Sequence, residues 1–161
     1  MNSDAHIALV NKALMNNSTA IDLFNAIAWA SQVIDDYWDG DKAVSRDEML
    51  QVILVLTVDI QRNAFFRAVQ DDMVGIIEDA LCFWMQASDL EEAAKSLPVD
   101  DANTALQVSY INRSVITDVL IRMARLIGGR QHERRIASEI RLAVYGDNEP
   151  LSDYINEHLR R

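Results

Sequence analysis

Apolar positions recur every three or four residues along most of the chain, and the polar interruptions between these stretches are short. Residues 4–16 place Ile7, Val10 and Leu14 on one helical stripe, with Ser3 as a cap and Asn16-Asn17 as a break. Residues 19–39, capped by Ser18, are apolar around most of the circumference. Leu23, Ile27, Ala30 and Ile34 mark the centre of that face, and Phe24, Val33 and Trp38 lie beside it. Gly40 then suits the left-handed residue that ends a helix. After a loop over residues 41–44, Ser45-Arg46-Asp47-Glu48 forms a capping box. The β-branched run over residues 52–56 imitates a strand, but the capping box and the lack of turn residues predict a helix through Ile60 with a wide buried face.

Asn63 caps the next pattern, which runs into Lys95 with a bend expected near Gly75 and a restart at Ser88-Asp89-Leu90-Glu91. Residues 97–101, around Pro98, make the clearest linker. Helices are then expected over residues 102–127, ending at Gly128-Gly129, over 131–145, and after Pro150 over 151–159. With only two prolines and five glycines in 161 residues, turns are few and elements must be long. The prediction is an all-α bundle of six or seven helices in a single domain over residues 1–161, with a sub-boundary at 97–101.

Composition narrows the function classes. A formal net charge of −10 makes direct binding to a phosphate backbone unfavourable, so no nucleic-acid partner is expected. No apolar run reaches the roughly 18 residues of a membrane span, and Met1-Asn2-Ser3-Asp4 lacks the basic start of a secretory signal. The single cysteine, Cys82, rules out an internal disulfide framework and suits a reducing cytoplasm; beside Phe83 and Trp84 it is expected to be buried or half-buried. His6, His132 and His158 have no metal-ligand spacing and are expected at the surface.

The chemistry concentrates in Asp35-Asp36-Tyr37-Trp38-Asp39. At about 100° per residue the three carboxylates share one face of the second helix, at its negative C-terminal end. An acidic group there is disfavoured by about 0.3–1 kcal/mol, so something positive is required: a divalent cation, Lys42, or an arginine from another element. The spacing D-D-x-x-D resembles the first aspartate-rich motif of class I isoprenoid synthases. That resemblance implies magnesium held by Asp35, Asp36 and Asp39 and a diphosphate held by the metal. The family's second motif is approached by Asp100-Asp101-Ala102-Asn103-Thr104, but Val108 stands where a ligand glutamate belongs.

A second acidic lane, Asp71, Asp72, Glu78 and Asp79, offers Asp72 and Asp79 as the opposite side of a metal site; a solvated helix face is its ordinary reading. Asp118 and Arg122 are spaced to pair on one helix, with Arg125 a turn beyond; the sharper reading puts Arg122 and Arg125 on a diphosphate. Residues 130–141 are locally basic, a polarity suited to steering a partner or to self-association.

Several segments together resemble a group of small all-helical proteins encoded by tailed bacteriophages and prophages: residues 34–42 around the aspartate cluster, 62–67 with Asn63, Trp84, 124–129 with Gly128-Gly129, and Asp153-Tyr154. Ala64 departs from the proline usual after the matched asparagine. The resemblance implies an accessory role, either as a virion component or as a regulator or inhibitor of a host system, exerted through a protein partner or self-association. A magnesium-dependent enzyme acting on a diphosphate or nucleotide is the alternative.

Overall fold

The structure, a computed structural model, describes residues 3–40, 42–147 and 150–160. Asp41, assigned to a loop by sequence, and the Ser3 side chain, taken as the first cap, lie outside that description. Every regular element among the described residues is helical. In chain order they are α1 (Ser3–Ala13), α2 (Ser18–Asp39), α3 (Arg46–Leu54), a π-helical turn (Val55–Asp59), α4 (Ile60–Arg62), α5 (Ala64–Ala68), α6 (Gln70–Ala94), α7 (Val99–Asn112), α8 (Val115–Asp147), which is interrupted by a kink at Gly129 where a helix end was expected, and α9 (Leu151–Arg160). The all-α class is as expected. The division into elements is finer than six or seven helices. No helix among the described residues is long and apolar enough to cross a membrane.

Local chemistry sets many of the boundaries. Ser45 accepts a hydrogen bond from the Glu48 amide while the Glu48 carboxylate accepts from the Ser45 amide, so the capping box forms as read. Asn63 caps α5 through the Phe66 amide, and its own amide group donates to the Thr19 carbonyl, tying α5 to the start of α2. Gly40 ends α2 at φ 72°, ψ 16°. The cap of α2, however, is Asn17, whose side chain accepts from the Ala20 amide; Ser18 is already helical. α1 ends at Ala13, earlier than expected, with Met15 and Asn16 at positive φ.

Four other boundaries move, one of them a break at Arg113-Ser114 that divides the helix expected over residues 102–127 into α7 and α8. The chain breaks at Val69 (φ −132°, ψ 35°) and not near Gly75. α6 runs through Ser88 without a restart, because Ala87, Glu91 and Ala94 keep one side buried across it. α7 begins at Val99, inside the expected linker, with Pro98 supplying the capping position.

The main core joins α1, α2, α5, α6 and α8 through Val10, Leu23, Phe24, Phe66, Met73, Met123 and Ile140, among others. Full burial of such side chains contributes about 1.5–3 kcal/mol each, and truncating Phe24 to alanine would cost about 3–5 kcal/mol. A second cluster packs Ala94 of α6, Ala102, Ala105 and Leu106 of α7, and Tyr154 of α9.

The third helix departs most from expectation. Only Val52 of α3 is buried, against Ala30 and Val33 of α2, whereas Leu50, Ile53 and Leu54 are 57, 51 and 46% exposed. The wide apolar face exists but the fold covers only part of it. The π turn contributes to this division: the Ile60 amide donates five residues back to the Val55 carbonyl, and the additional residue shifts the helical phase so that Ile60 enters the core. Trp38 is likewise exposed and not beside the buried face, and Cys82 is exposed. His132 is buried, correcting its surface assignment: its Nε2 meets the Ala13 carbonyl at 2.7 Å and satisfies an otherwise orphaned group near the end of α1.

Candidate functional site

The aspartate-bearing end of α2 lies beside α6 and the C-terminus of α7. Asp35 Oδ1 accepts from the Trp84 indole N–H at 2.9 Å and from Arg113 at 3.0 Å. The same Arg113 nitrogen lies 3.3 Å from Asp39 Oδ2. Asp36 takes a separate pair of donors, Gln32 at 3.0 Å and Lys42 at 3.3 Å. The positive charge that this helix end requires therefore comes from Lys42 and from an arginine of another element, two of the sources anticipated from sequence.

Arg113 follows the last residue of α7, where a cation is also favoured by that helix's negative end. One guanidinium thus serves two helix termini. It also lies 5.6 Å from the Trp84 ring centroid, and Trp38 meets Trp84 edge-on at 5.5 Å. This aromatic pair fixes the orientation of the indole that donates to Asp35.

The deepest part of the site escaped the sequence analysis. Glu91 of α6 is buried and receives two parallel hydrogen bonds from Arg113, at 2.8 and 2.6 Å. Its Oε1 also lies within hydrogen-bond distance of the Ser109 and Tyr154 hydroxyls, while His158 Nε2 stands 3.9 Å from Oε2. Burial alone would raise the Glu91 pKa; hydrogen bonds from Arg113 and Tyr154, with the Arg113 charge, outweigh it and pull the pKa down to about 2. Burial and the Glu91 contact push the Tyr154 phenol well above its ordinary value. The result is an ionised carboxylate held by one cation and a protonated phenol, joining α6, α7 and α9. One sequence signal pointed to it: Glu91 falls on the same side of α6 as Ala87 and Ala94, and a charge on an apolar face needs a partner.

The other candidate residues separate. Asp79 pairs with Arg122 across α6 and α8 at 2.5 Å, and Asp72 is exposed. The expected Asp118–Arg122 pair does not form. Asp118 instead pairs with Arg141 at 2.6 Å, and Arg125 with Glu133 at 3.7 Å across the Gly129 kink. A cleft of about 250 Å³ between α6 and α8 is lined by Ile76, Ala80, Phe83, Val119, Asp79 and Arg122, among others. The two acidic lanes thus hold different cations: Asp35 and Asp39 engage Arg113, while Asp79 engages Arg122. Among the described residues, no three His, Cys, Asp or Glu side chains are grouped to hold a metal ion. No protein-family model, curated protein or solved structure matches the chain.

Proposed function

We propose that this chain is a phage- or prophage-encoded accessory protein that acts by binding another protein or itself, as a regulator of a host system or as part of a virion. The observation carrying the binding reading is the outward stripe Leu50, Ile53 and Leu54 on α3. Scattered exposed leucines are ordinary, but three large apolar side chains at i, i+3 and i+4 form the pattern that a helix presents to a groove. Leu56 on the following turn is also exposed, so the apolar surface extends past the helix end. The phage context rests on the resemblance of the segments around Asp35, Asn63, Trp84 and Tyr154.

The test is an Ile53→Glu/Leu54→Lys variant, altered only at exposed positions and checked for unchanged helical content by circular dichroism. Cross-linking in phage-infected cells, read by quantitative mass spectrometry, should give a partner or a self-contact with the wild type that the variant loses. Identical cross-link sets would remove the stripe from the account.

The magnesium-dependent alternative has weaker support, because Asp35, Asp36 and Asp39 are already engaged by Arg113, Lys42 and Gln32. Calorimetric titration with magnesium separates the two readings. Saturable heat that disappears in Asp36→Asn/Asp39→Asn would favour the enzyme; its absence in the wild type would count against it.

A further inference from the structure

α6 and the part of α8 beyond its Gly129 kink display complementary faces. α6 contains seven acidic residues and no lysine or arginine over its 25 positions. Its solvent side gathers Val74, Glu78, Leu81 and Met85 at i, i+4, i+7 and i+11, flanked by Asp71, Cys82 and Asp89, and all of these are exposed. Leu81 and Met85 are 53 and 59% exposed. Asp71, Glu78 and Asp89 have no ion-pair partner among the described residues.

Beyond the Gly129 kink, α8 shows the opposite character. Arg130, Arg134, Ser138 and Leu142 are spaced four apart with Arg135 beside them, all exposed, and Leu142 is 77% exposed. The other acidic and arginine side chains over residues 130–142 are taken up within the fold: Glu133 by Arg125, Glu139 by Lys12 and Arg141 by Asp118. Arg130, Arg134 and Arg135 have no such partner among the described residues. At about 1.5 Å per residue the two ridges measure roughly 16 and 18 Å, so they match in length as well as in charge.

We infer that the acidic, apolar face of α6 docks the basic face of α8 from a second copy of this chain. The contact is heterologous, because each copy presents one face of each kind, so it propagates into a ring or an open assembly instead of closing as a two-fold dimer. Leu81 and Met85 meet Leu142, and with the two helices parallel the arginines, all N-terminal to Leu142, face Asp71 and Glu78. The net charge of −10 on each copy opposes association at long range, but the Debye length of about 8 Å at physiological salt leaves the facing residues to decide. The contact is small, and weak association follows. This inference deepens the interaction reading by naming the chain itself as a partner.

The test is sedimentation velocity on the full chain at physiological salt, with reductant to keep Cys82 from linking copies and protein up to about 1 mM. Wild-type mass should rise with concentration. Leu81→Asp/Met85→Asp and Arg134→Glu/Arg135→Glu should each remain monomeric alone with unchanged helical content. Their equimolar mixture should form a one-to-one dimer and stop there, since each component retains one working face. A monomeric wild type, association of either variant alone, or a monomeric mixture beside an associating wild type would overturn the inference. None of these outcomes would touch the α3 stripe, whose cross-linking test stands separately.

Discussion

Arg113 binds Glu91 through two parallel hydrogen bonds and still reaches Asp35 and Asp39 with its remaining nitrogen. A residue at the end of α7 thereby joins α6 to the end of α2, and Tyr154 brings α9 to the same carboxylate. Asp35 and Asp39, two of the three aspartates that looked like a metal motif, form the outer edge of this junction, and Glu91 forms its buried centre. Whatever binds at the surface of α2 meets side chains already oriented by a guanidinium and an indole.

The junction should show strong coupling. Arg113→Met leaves Glu91 ionised, buried and without its cation, which costs about 3–5 kcal/mol. Glu91→Gln keeps the Tyr154 and Ser109 hydroxyls partnered and leaves Arg113 its two aspartates, so the expected cost is smaller, about 1–3 kcal/mol. Combining the two substitutions should cost less than their sum. Urea unfolding of all four proteins measures the coupling, and strict additivity would mean that the pair does not act as a unit.

Acid should find the same carboxylate. Glu91 is held at about 2 in the folded chain against an ordinary 4.5, so the folded state binds fewer protons between these values. Its contribution is complete above pH 4.5 and is lost as the pH falls through 4.5 towards 2, a difference of about 3 kcal/mol. Unfolding free energy measured across that window should fall more steeply in the wild type than in Glu91→Gln. Equal slopes would place the acid sensitivity elsewhere.

Local interactions were the most legible in the sequence, although the cap expected at Ser18 falls to Asn17 and the restart expected at Ser88 does not form. Ser45 with Glu48, Asn63 with Phe66, and Gly40 after Asp39 lie within a few residues of each other, so spacing alone reveals the contact. Sequence reading failed where the partner is remote. Arg113 and Glu91 are on different helices, and Tyr154 comes from a third; nothing in local periodicity joins them. The α3 face failed for a different reason: apolar spacing at Leu50, Ile53 and Leu54 identifies a surface that avoids water, but not which molecule covers it. Asp118 and Arg122 had suitable spacing, yet Arg141 and Asp79 from neighbouring segments took them.

Gly128 and Gly129 are required for separate reasons. Gly129 holds φ 72°, ψ −178°, a region open almost only to glycine, so Gly129→Ala should cost about 1–3 kcal/mol. A Cβ on Gly128 would come within 2.5 Å of the His132 ring and 2.6 Å of its Cβ. Gly128→Ala therefore displaces His132 and strains its bond to the Ala13 carbonyl, costing about 1–3 kcal/mol. Since the Cβ is part of the clash, Gly128→Ala should remain destabilising in a His132→Ala background. Thermal unfolding of the four combinations checks this; full relief by His132→Ala would mean that only the ring obstructs.

Thr117 offers the opposite sign. It is 2% exposed, and its hydroxyl has no hydrogen-bond partner among the described residues. The folded chain therefore bears the cost of stripping water from that hydroxyl with no bond in return, about 1–3 kcal/mol. Thr117→Val keeps the branched shape and removes the polar atom. Stability should rise by about 1 kcal/mol, which for a chain of this size raises Tm by about 2–4 °C. Calorimetric melting measures the shift directly. A lower Tm would show that the hydroxyl is bonded in solution and that its burial is compensated.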